Sequence, residues 1–248
     1  VKPDLAKSLR FFRLLGGAVM IWGLVYGSFL GFELPFALIS TSTDIMTILV
    51  ISVIFGFMTI LAGLWLSGTK NLRLKDYGGA YNSGFAWILI LLGLLFIVLG
   101  KLFPALAILA PIGQWLAILN ALGILVVSVV TSKKITGLIA GLFNLYNISS
   151  YVGDLVSFTR LMALGLAGAS MGSAFNLIVS LFPPVGRYTV GIVAFVLLHL
   201  VNMSLAFLSG YVHSARLIFV EFFGKFYDGG GKAFTPLKPA EKYVKYKK

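Results

Sequence analysis

The stretch that decides the fold is GLIAGLFNLYNISSYVGDLVSFTRLMALGLAGASMGSAFNLIVSL, residues 137–181. It contains no proline, and Arg160, close to its middle, is its only Lys or Arg. As one helix, the stretch would extend about 67 Å, roughly twice the ~30 Å hydrocarbon core of a bilayer. The sequence therefore predicts a membrane helix that crosses at a steep tilt, breaks, or projects into water.

A second long apolar segment, from Tyr188 to Lys225, has the same property, because its helical length would be about 57 Å. The linker between the two segments, residues 182–187, contains Pro183 and Pro184. Proline cannot continue a helix that precedes it, so the linker predicts a turn. We expect a hairpin of two long helices, strongly tilted in the membrane.

The composition is that of an integral membrane protein, with 59% hydrophobic residues, 11% charged residues and a mean hydropathy of +0.98 over 248 residues. Cysteine is absent, which excludes disulfides and thiolate metal sites. The chain begins at Val1 without a signal-peptide pattern, so we expect it to be the back part of a longer protein.

Hydropathy predicts six membrane segments, and hence an all-α, polytopic helix bundle. They lie at about 14–32, 45–67, 84–100, 105–131, 137–181 and 188–225. We divide the chain into peripheral membrane helices (1–131), the two long helices (132–227) and a basic tail (228–248).

The distribution of Lys and Arg follows the membrane topology. Sixteen of the 20 basic residues lie in the N-terminal stretch, after the second and fourth segments, or in the tail; two lie in the alternate loops. Membrane-proximal basic residues prefer the cytoplasmic side, so both ends are predicted to be cytoplasmic. The net charge of +12 is thereby explained without a nucleic-acid partner.

Polar residues in the two long segments share faces of the predicted helices. The first face contains Asn147, Ser150, Asp154 and Ser157, with Arg160 at its edge and Asn176 further along the same side. The second contains His199, Asn202, Ser209, His213 and Arg216. These residues are candidates for lining a water-filled path, with interhelical hydrogen bonding as the alternative for the Ser and Asn residues.

The two arginines are the strongest functional candidates. A central intramembrane arginine costs at least ~2.5–3.5 kcal/mol and cannot lose its proton. Asp154 and Glu221 are the possible partners, although neither has the spacing of a bridge within its own helix; a cross-hairpin pair remains open. At least one arginine is therefore expected to await a carboxylate from another chain.

At these residues the chain resembles the membrane-embedded a-subunit (subunit I) of V/A-type rotary ATPases, in their bacterial and archaeal branch. The resemblance is carried by SFTRLMALGLA (157–167), HSARLIFVEFFGKFY (213–227), GGGKAFTP (229–236) and IWGLVYGSFLG (21–31).

The resemblance implies a stator subunit in a multi-pass, bacterial plasma-membrane setting. Arg160 and Arg216 would exchange Na⁺ or H⁺ with the essential carboxylates of a rotor ring of c/K-type hairpin subunits, through two offset half-channels. A cytoplasmic N-terminal domain, absent from this sequence, would join peripheral stalk subunits. No stably bound cofactor is implied, only the transported ion.

Ion identity is left open between Na⁺ and H⁺. Proton-pumping eukaryotic relatives of the family have titratable groups where this chain has Ala206, Gly168 and Tyr146. A proton path benefits from such groups, whereas Na⁺ needs oxygen ligands and water, so their loss favours Na⁺.

Other function classes are less well supported by the sequence. No nucleophile constellation or nucleotide motif is present, so we expect no enzyme activity from this chain alone. His199 and His213 lack a convergent third ligand for a metal. A stand-alone secondary transporter that binds an anion at its arginines remains the alternative, although no internal repeat is found; a purely structural anchor is the third possibility.

Overall fold

The computed structural model describes residues 3–33, 35, 38–41, 43–131, 134–227, 229–231 and 234. Most of the basic tail, Lys133 and Lys2 lie outside the described residues. In the described part of the chain, six helices are long and apolar enough to cross a membrane, which confirms the prediction of an all-α membrane bundle. The steep tilt of the two long helices stays a prediction.

The helices are α1 (Pro3–Tyr26), α2 (Ile45–Arg73), α3 (Tyr77–Leu102), α4 (Leu109–Thr131), α5 (Lys134–Tyr146), α6 (Ile148–Ser157), α7 (Thr159–Ser180) and α8 (Pro184–Lys225). Helices α5 to α7 together form the fifth apolar span, Thr136–Ser180. Two short strands, β1 (Ser28–Phe29) and β2 (Phe32–Glu33), form an antiparallel pair after α1.

The first helix differs from its predicted range of 14–32. It begins at Pro3, because the basic N-terminal stretch continues the helix even though it is too polar to raise the hydropathy. It ends at Tyr26, because Gly27 has a φ of +55°, a left-handed conformation that commonly terminates helices. The chain then turns between the strands through Leu30 and Gly31, whose φ values are also positive.

The fifth span has two single-residue breaks in its helical hydrogen bonding, at Asn147 and Phe158, although both residues keep helical backbone angles and the span continues for 45 residues, Thr136–Ser180. Asn147 and Phe158 each donate a backbone hydrogen bond to the residue three positions earlier, Asn144 and Leu155, in place of the helical four. The eighth helix is irregular as well: a π-helical turn covers Leu217–Phe222 near its end. A helical wheel drawn across either break therefore misplaces the residues beyond it around the helix axis.

The core lies where α2, α3, α4 and α6 meet, and it includes the fully buried Ile60, Leu64, Trp87 and Ile124. Trp87 also contacts the ring of Tyr151 at 4.6 Å and donates from Nε1 to Asn144 Oδ1 at 3.1 Å. Helix α2 packs against α3, α6, α7 and the end of α8. It thereby positions the arginine-bearing helices relative to the rest of the bundle.

Candidate functional site

The candidate site is built around the break at Phe158, which joins α6 to α7. The Phe158 side chain is buried, with 5% of its surface exposed, and it packs onto α2 at Gly56. A Cβ atom at position 56 would lie only 2.6 Å from Phe158 Cγ, so only glycine leaves room for the ring. This contact fixes the break and hence the positions of Ser157 and Arg160 on either side of it.

A hydrogen-bonded chain links the break to the end of α8. The Ser157 hydroxyl donates to Glu221 Oε1 at 2.6 Å, and Arg160 Nη2 donates to Ser157 Oγ at 3.2 Å. Glu221 is 3% exposed and lies in the π-helical turn of α8. The structure thus brings together three of the predicted site residues, from three helices.

Charge in this group is only partly compensated. Among the described residues, no carboxylate oxygen lies within 4.0 Å of the Arg160 guanidinium. Arg160 Nη1 and Glu221 Oε2 are buried, and neither has a hydrogen-bond partner in the described part of the chain. Buried polar groups are normally paired, so unsatisfied donors and acceptors need an explanation. Arg160 retains an unused donor, Nη1, which a carboxylate from outside this chain would reach only after a movement of the side chain.

Arg216 lies at the end of the α-helical part of α8, just before the π-helical turn that carries Glu221. Its side chain is exposed, and within the described part of the chain it has no ion pair or hydrogen bond. Because Glu221 contacts Ser157, this end of α8 meets the α6–α7 break. Both arginines therefore lie at the same end of the hairpin.

Asp154 has a different partner from those considered in the sequence analysis. It forms an ion pair with Lys225, at the end of α8, and not with either arginine. The Lys225 ammonium also lies over the ring of Tyr151, 4.3 Å from the centroid. The reason is geometric: the break at Phe158 separates Asp154 from Arg160, while α8 brings Lys225 across to α6.

Three polar residues nearer the turn of the hairpin form interhelical contacts. Asn176 donates to the Leu30 carbonyl at 2.8 Å and contacts His199 Nε2 at 3.0 Å through its side-chain oxygen. Asn202 donates to the Gly168 carbonyl at 3.2 Å. These contacts join α7, α8 and the strand pair, as expected from the alternative in which such residues form interhelical hydrogen bonds.

A cavity of about 400 Å³ lies beside the contact of α7 with α8, between this region and the arginines. It is lined mainly by apolar side chains, with Asn202, Ser209 and His213 as its polar side chains. His213 Nδ1 is buried and has no hydrogen-bond partner among the described residues. The cavity thus has room for water and three polar side chains that could bind it.

Comparison with known proteins finds relatives that match most of this chain. Subunit I of the A-type ATP synthase of Methanocaldococcus jannaschii is 31% identical over 209 residues, 83% of this chain and 30% of the relative. The same subunit of Pyrococcus abyssi is 30% identical over 232 residues, 88% of this chain and 34% of the relative. This chain is homologous to subunit I of the A-type and V-type ATP synthases.

The V-type relatives include subunit I of Chlamydia pneumoniae, which is 36% identical over 104 residues, 42% of this chain and 15% of the relative. No family model matches. This subunit I homologue spans about a third of the length of the A-type relatives named here. The relatives' names confirm the family resemblance and agree with a subunit of a larger ATP synthase.

The remaining predicted residues of the subunit I homologue lie apart from the Arg160 group. Asn147, at the first break of the fifth span, is exposed and donates to Asn144 Oδ1 at a long 3.4 Å. Ser150, one turn further along α6, is also exposed. The structure therefore separates the first predicted polar face into an exposed part and the partly buried group around Ser157.

Sequence reasoning missed the residues that hold this site in place. Lys225 was counted only with the cytoplasmic tail, and Phe158 and Gly56 were not considered. A signal for Lys225 was available, because Asp154 is a lone acid in an apolar span and needs a cation. No comparable signal marks Gly56, since its role depends on a contact between residues about a hundred positions apart.

Proposed function

We propose that this chain is the membrane part of a stator subunit of a rotary ATP synthase or ATPase. It exchanges Na⁺ or H⁺ with carboxylates of a rotor ring and so couples ion passage to nucleotide chemistry in other subunits. The observation that carries the proposal is Arg160, a partly buried cation with an unpaired Nη1 and no carboxylate within 4.0 Å in the described part of this chain. The homology to ATP synthase subunit I supports the same assignment.

The role of Arg160 follows from its charge. A permanent cation beside a passing carboxylate stabilises the ionised form, which weakens the carboxylate's hold on H⁺ or Na⁺. The guanidinium offers the ionised carboxylate a hydrogen-bonding partner once the ion has left. The same charge repels cations that would otherwise cross directly between the two sides of the membrane, so transport requires rotation. Arg216, exposed at the same end of the hairpin, is proposed as the second such cation.

The two half-channels are proposed to approach Arg160 from opposite ends. The 400 Å³ cavity with Asn202, Ser209 and His213 lies on the side of the hairpin turn. Asn147 and Ser150 lie on the opposite side of Arg160 along the chain, and are exposed. Asn176 and His199, which contact each other, lie beside the cavity on the same side of Arg160.

The orientation follows from the distribution of Lys and Arg. We propose that both ends of the chain are cytoplasmic in a bacterial plasma membrane, which places the hairpin turn and the cavity on the outer side. Na⁺ is the favoured ion, with H⁺ as the alternative. The proposed partners are the ring of hairpin subunits and, through sequence outside this chain, the peripheral stalk.

The test is Arg160→Gln in the assembled complex, with Arg187→Gln as the matched control. Arg187 is exposed near the hairpin turn and donates to the Ser180 carbonyl, away from the proposed site. We expect Arg160→Gln to abolish ATP-driven ion uptake into liposomes and Arg187→Gln to retain it. Uptake that survives Arg160→Gln would refute the exchange at the ring and leave a structural anchor. Transport by the isolated chain would instead favour a secondary transporter.

A further inference from the structure

Ser157 stands between two opposite charges that do not pair directly. Its hydroxyl donates to Glu221 and accepts from Arg160, at 2.6 and 3.2 Å. The guanidinium and the carboxylate are more than 4.0 Å apart, although they share one hydrogen-bond partner. Each keeps one buried terminal atom unpaired, Nη1 and Oε2. A single hydroxyl group is thus all that links them among the described residues.

Direct pairing would be the default outcome for such groups. Opposite charges in a partly buried site attract strongly, and a guanidinium fits a carboxylate with two parallel hydrogen bonds. That pair would satisfy Nη1 and Oε2 at once. It would also occupy the donors of Arg160 and cancel its charge, so a carboxylate arriving from another chain would have to displace Glu221 first.

We infer that Ser157 is a positioning residue that keeps Arg160 from forming an ion pair with Glu221; the inference rests on the proposed function. The hydroxyl has one proton to donate, and the carboxylate takes it, so the guanidinium meets a lone pair and not a competing charge. Glu221 still stabilises Arg160 through the field of its charge. The guanidinium nevertheless keeps an unpaired donor, Nη1, for an external partner that reaches it through a movement of the side chain.

The location of Ser157 makes this spacing fixed. It is the last residue of α6, directly before the break at Phe158, and the packing of Phe158 on Gly56 holds the backbone there. Glu221 is held in turn by the π-helical turn, in which Leu217 is also buried. The hydroxyl is therefore placed by two packed segments and does not follow the movements of Arg160.

The first measurement is the structure and activity of the assembled complex carrying Ser157→Ala. We expect the Arg160 guanidinium and the Glu221 carboxylate to move within 4.0 Å of each other, and ATP-driven ion uptake to fall by at least about tenfold. Ser157→Thr keeps the hydroxyl and should retain uptake within about twofold of the parent. Ser180→Ala, an exposed serine near the hairpin turn, is the control for loss of a helical hydroxyl.

The second measurement removes the competing charge. Ser157→Ala combined with Glu221→Gln should recover part of the lost uptake relative to Ser157→Ala alone. An unchanged Arg160–Glu221 separation in Ser157→Ala, or wild-type uptake by that variant, would overturn the inference. If Glu221→Gln alone is inactive, the double variant is uninformative, and the distance between Arg160 and Glu221 in Ser157→Ala decides whether the inference holds. The proposed function has its own test. If Arg160→Gln is inactive and Ser157→Ala is normal, only the positioning role of Ser157 is refuted. If Arg160→Gln is active, both the proposed function and this inference are refuted.

Discussion

Replacing Gly56 by alanine should disturb the site from a helix that carries none of its charged groups. The new Cβ would lie 2.6 Å from Phe158 Cγ and 2.8 Å from its Cβ and Cδ2. Ordinary contact begins at 3.4 Å, so the root of the Phe158 side chain must retreat by 0.8 Å. Because the clash is with Cβ and Cγ, a rotation of the ring cannot relieve it, and the backbone of the break must move.

The magnitude follows from two opposing terms. Alanine in place of glycine within a helix is favourable by about 0.5–1 kcal/mol, while overpacking a well-filled contact costs about 1–3 kcal/mol. We expect a net destabilisation of about 1–2 kcal/mol. The functional loss should be larger, since a displacement near 1 Å at a catalytic geometry can cost about a hundredfold in rate.

The assay compares the Gly56→Ala complex with a complex carrying Gly17→Ala, a helical glycine with no atom within 4 Å of the added Cβ. Thermal inactivation and ATP-driven ion uptake into liposomes are measured on both. We expect Gly56→Ala to inactivate at a lower temperature and to lose at least about tenfold in uptake, and Gly17→Ala to match the parent. Wild-type stability and uptake in Gly56→Ala would refute the role assigned to the Phe158 contact.

Three further predictions concern other parts of the chain. Asp154→Asn leaves Lys225 without its carboxylate. Because the pair is largely buried, the thermal stability of the complex should fall by the equivalent of about 3 kcal/mol. Unchanged stability would contradict the pairing. Gly31→Ala should raise the rate of amide hydrogen exchange in the strand pair, because Gly31 has a φ of +75° and the added Cβ would lie 2.4 Å from the Gly172 carbonyl carbon. An unchanged exchange rate would contradict that contact. At fixed pH, coupled ATP turnover should rise and saturate with added Na⁺; insensitivity to Na⁺ would indicate H⁺.

Hydropathy was sufficient to predict the six membrane segments, because they follow from the solubility of whole stretches in lipid. The hairpin turn was predicted from Pro183 and Pro184, because proline cannot continue the preceding helix. The site was predicted less completely. Arg160 and Glu221 were recognised as possible cross-hairpin partners, but the intervening position of Ser157 depends on the break at Phe158. A helical wheel assumes a continuous helix and cannot show where that continuity ends.

The partner of Asp154 could not be identified for a similar reason. Sequence spacing showed only that Asp154 does not form a natural bridge to Arg160 within its own helix, whereas in the structure it pairs with Lys225, which the hairpin brings back to α6. Tertiary packing also brings Asn176 and His199 into contact with each other, which the separate polar faces of the two helices did not predict. Local patterns predicted which residues are polar within the membrane, but not which of them satisfy one another.

The attachment of the end of α8 has a mechanical consequence. Lys225 pairs with Asp154, and the Phe226 carbonyl accepts a hydrogen bond from Lys70 at 3.1 Å. Any sideways load on α8 would therefore pass through these attachments into α2 and α6, while the contacts of His199 and Asn202 with α7 restrain the helix nearer the turn.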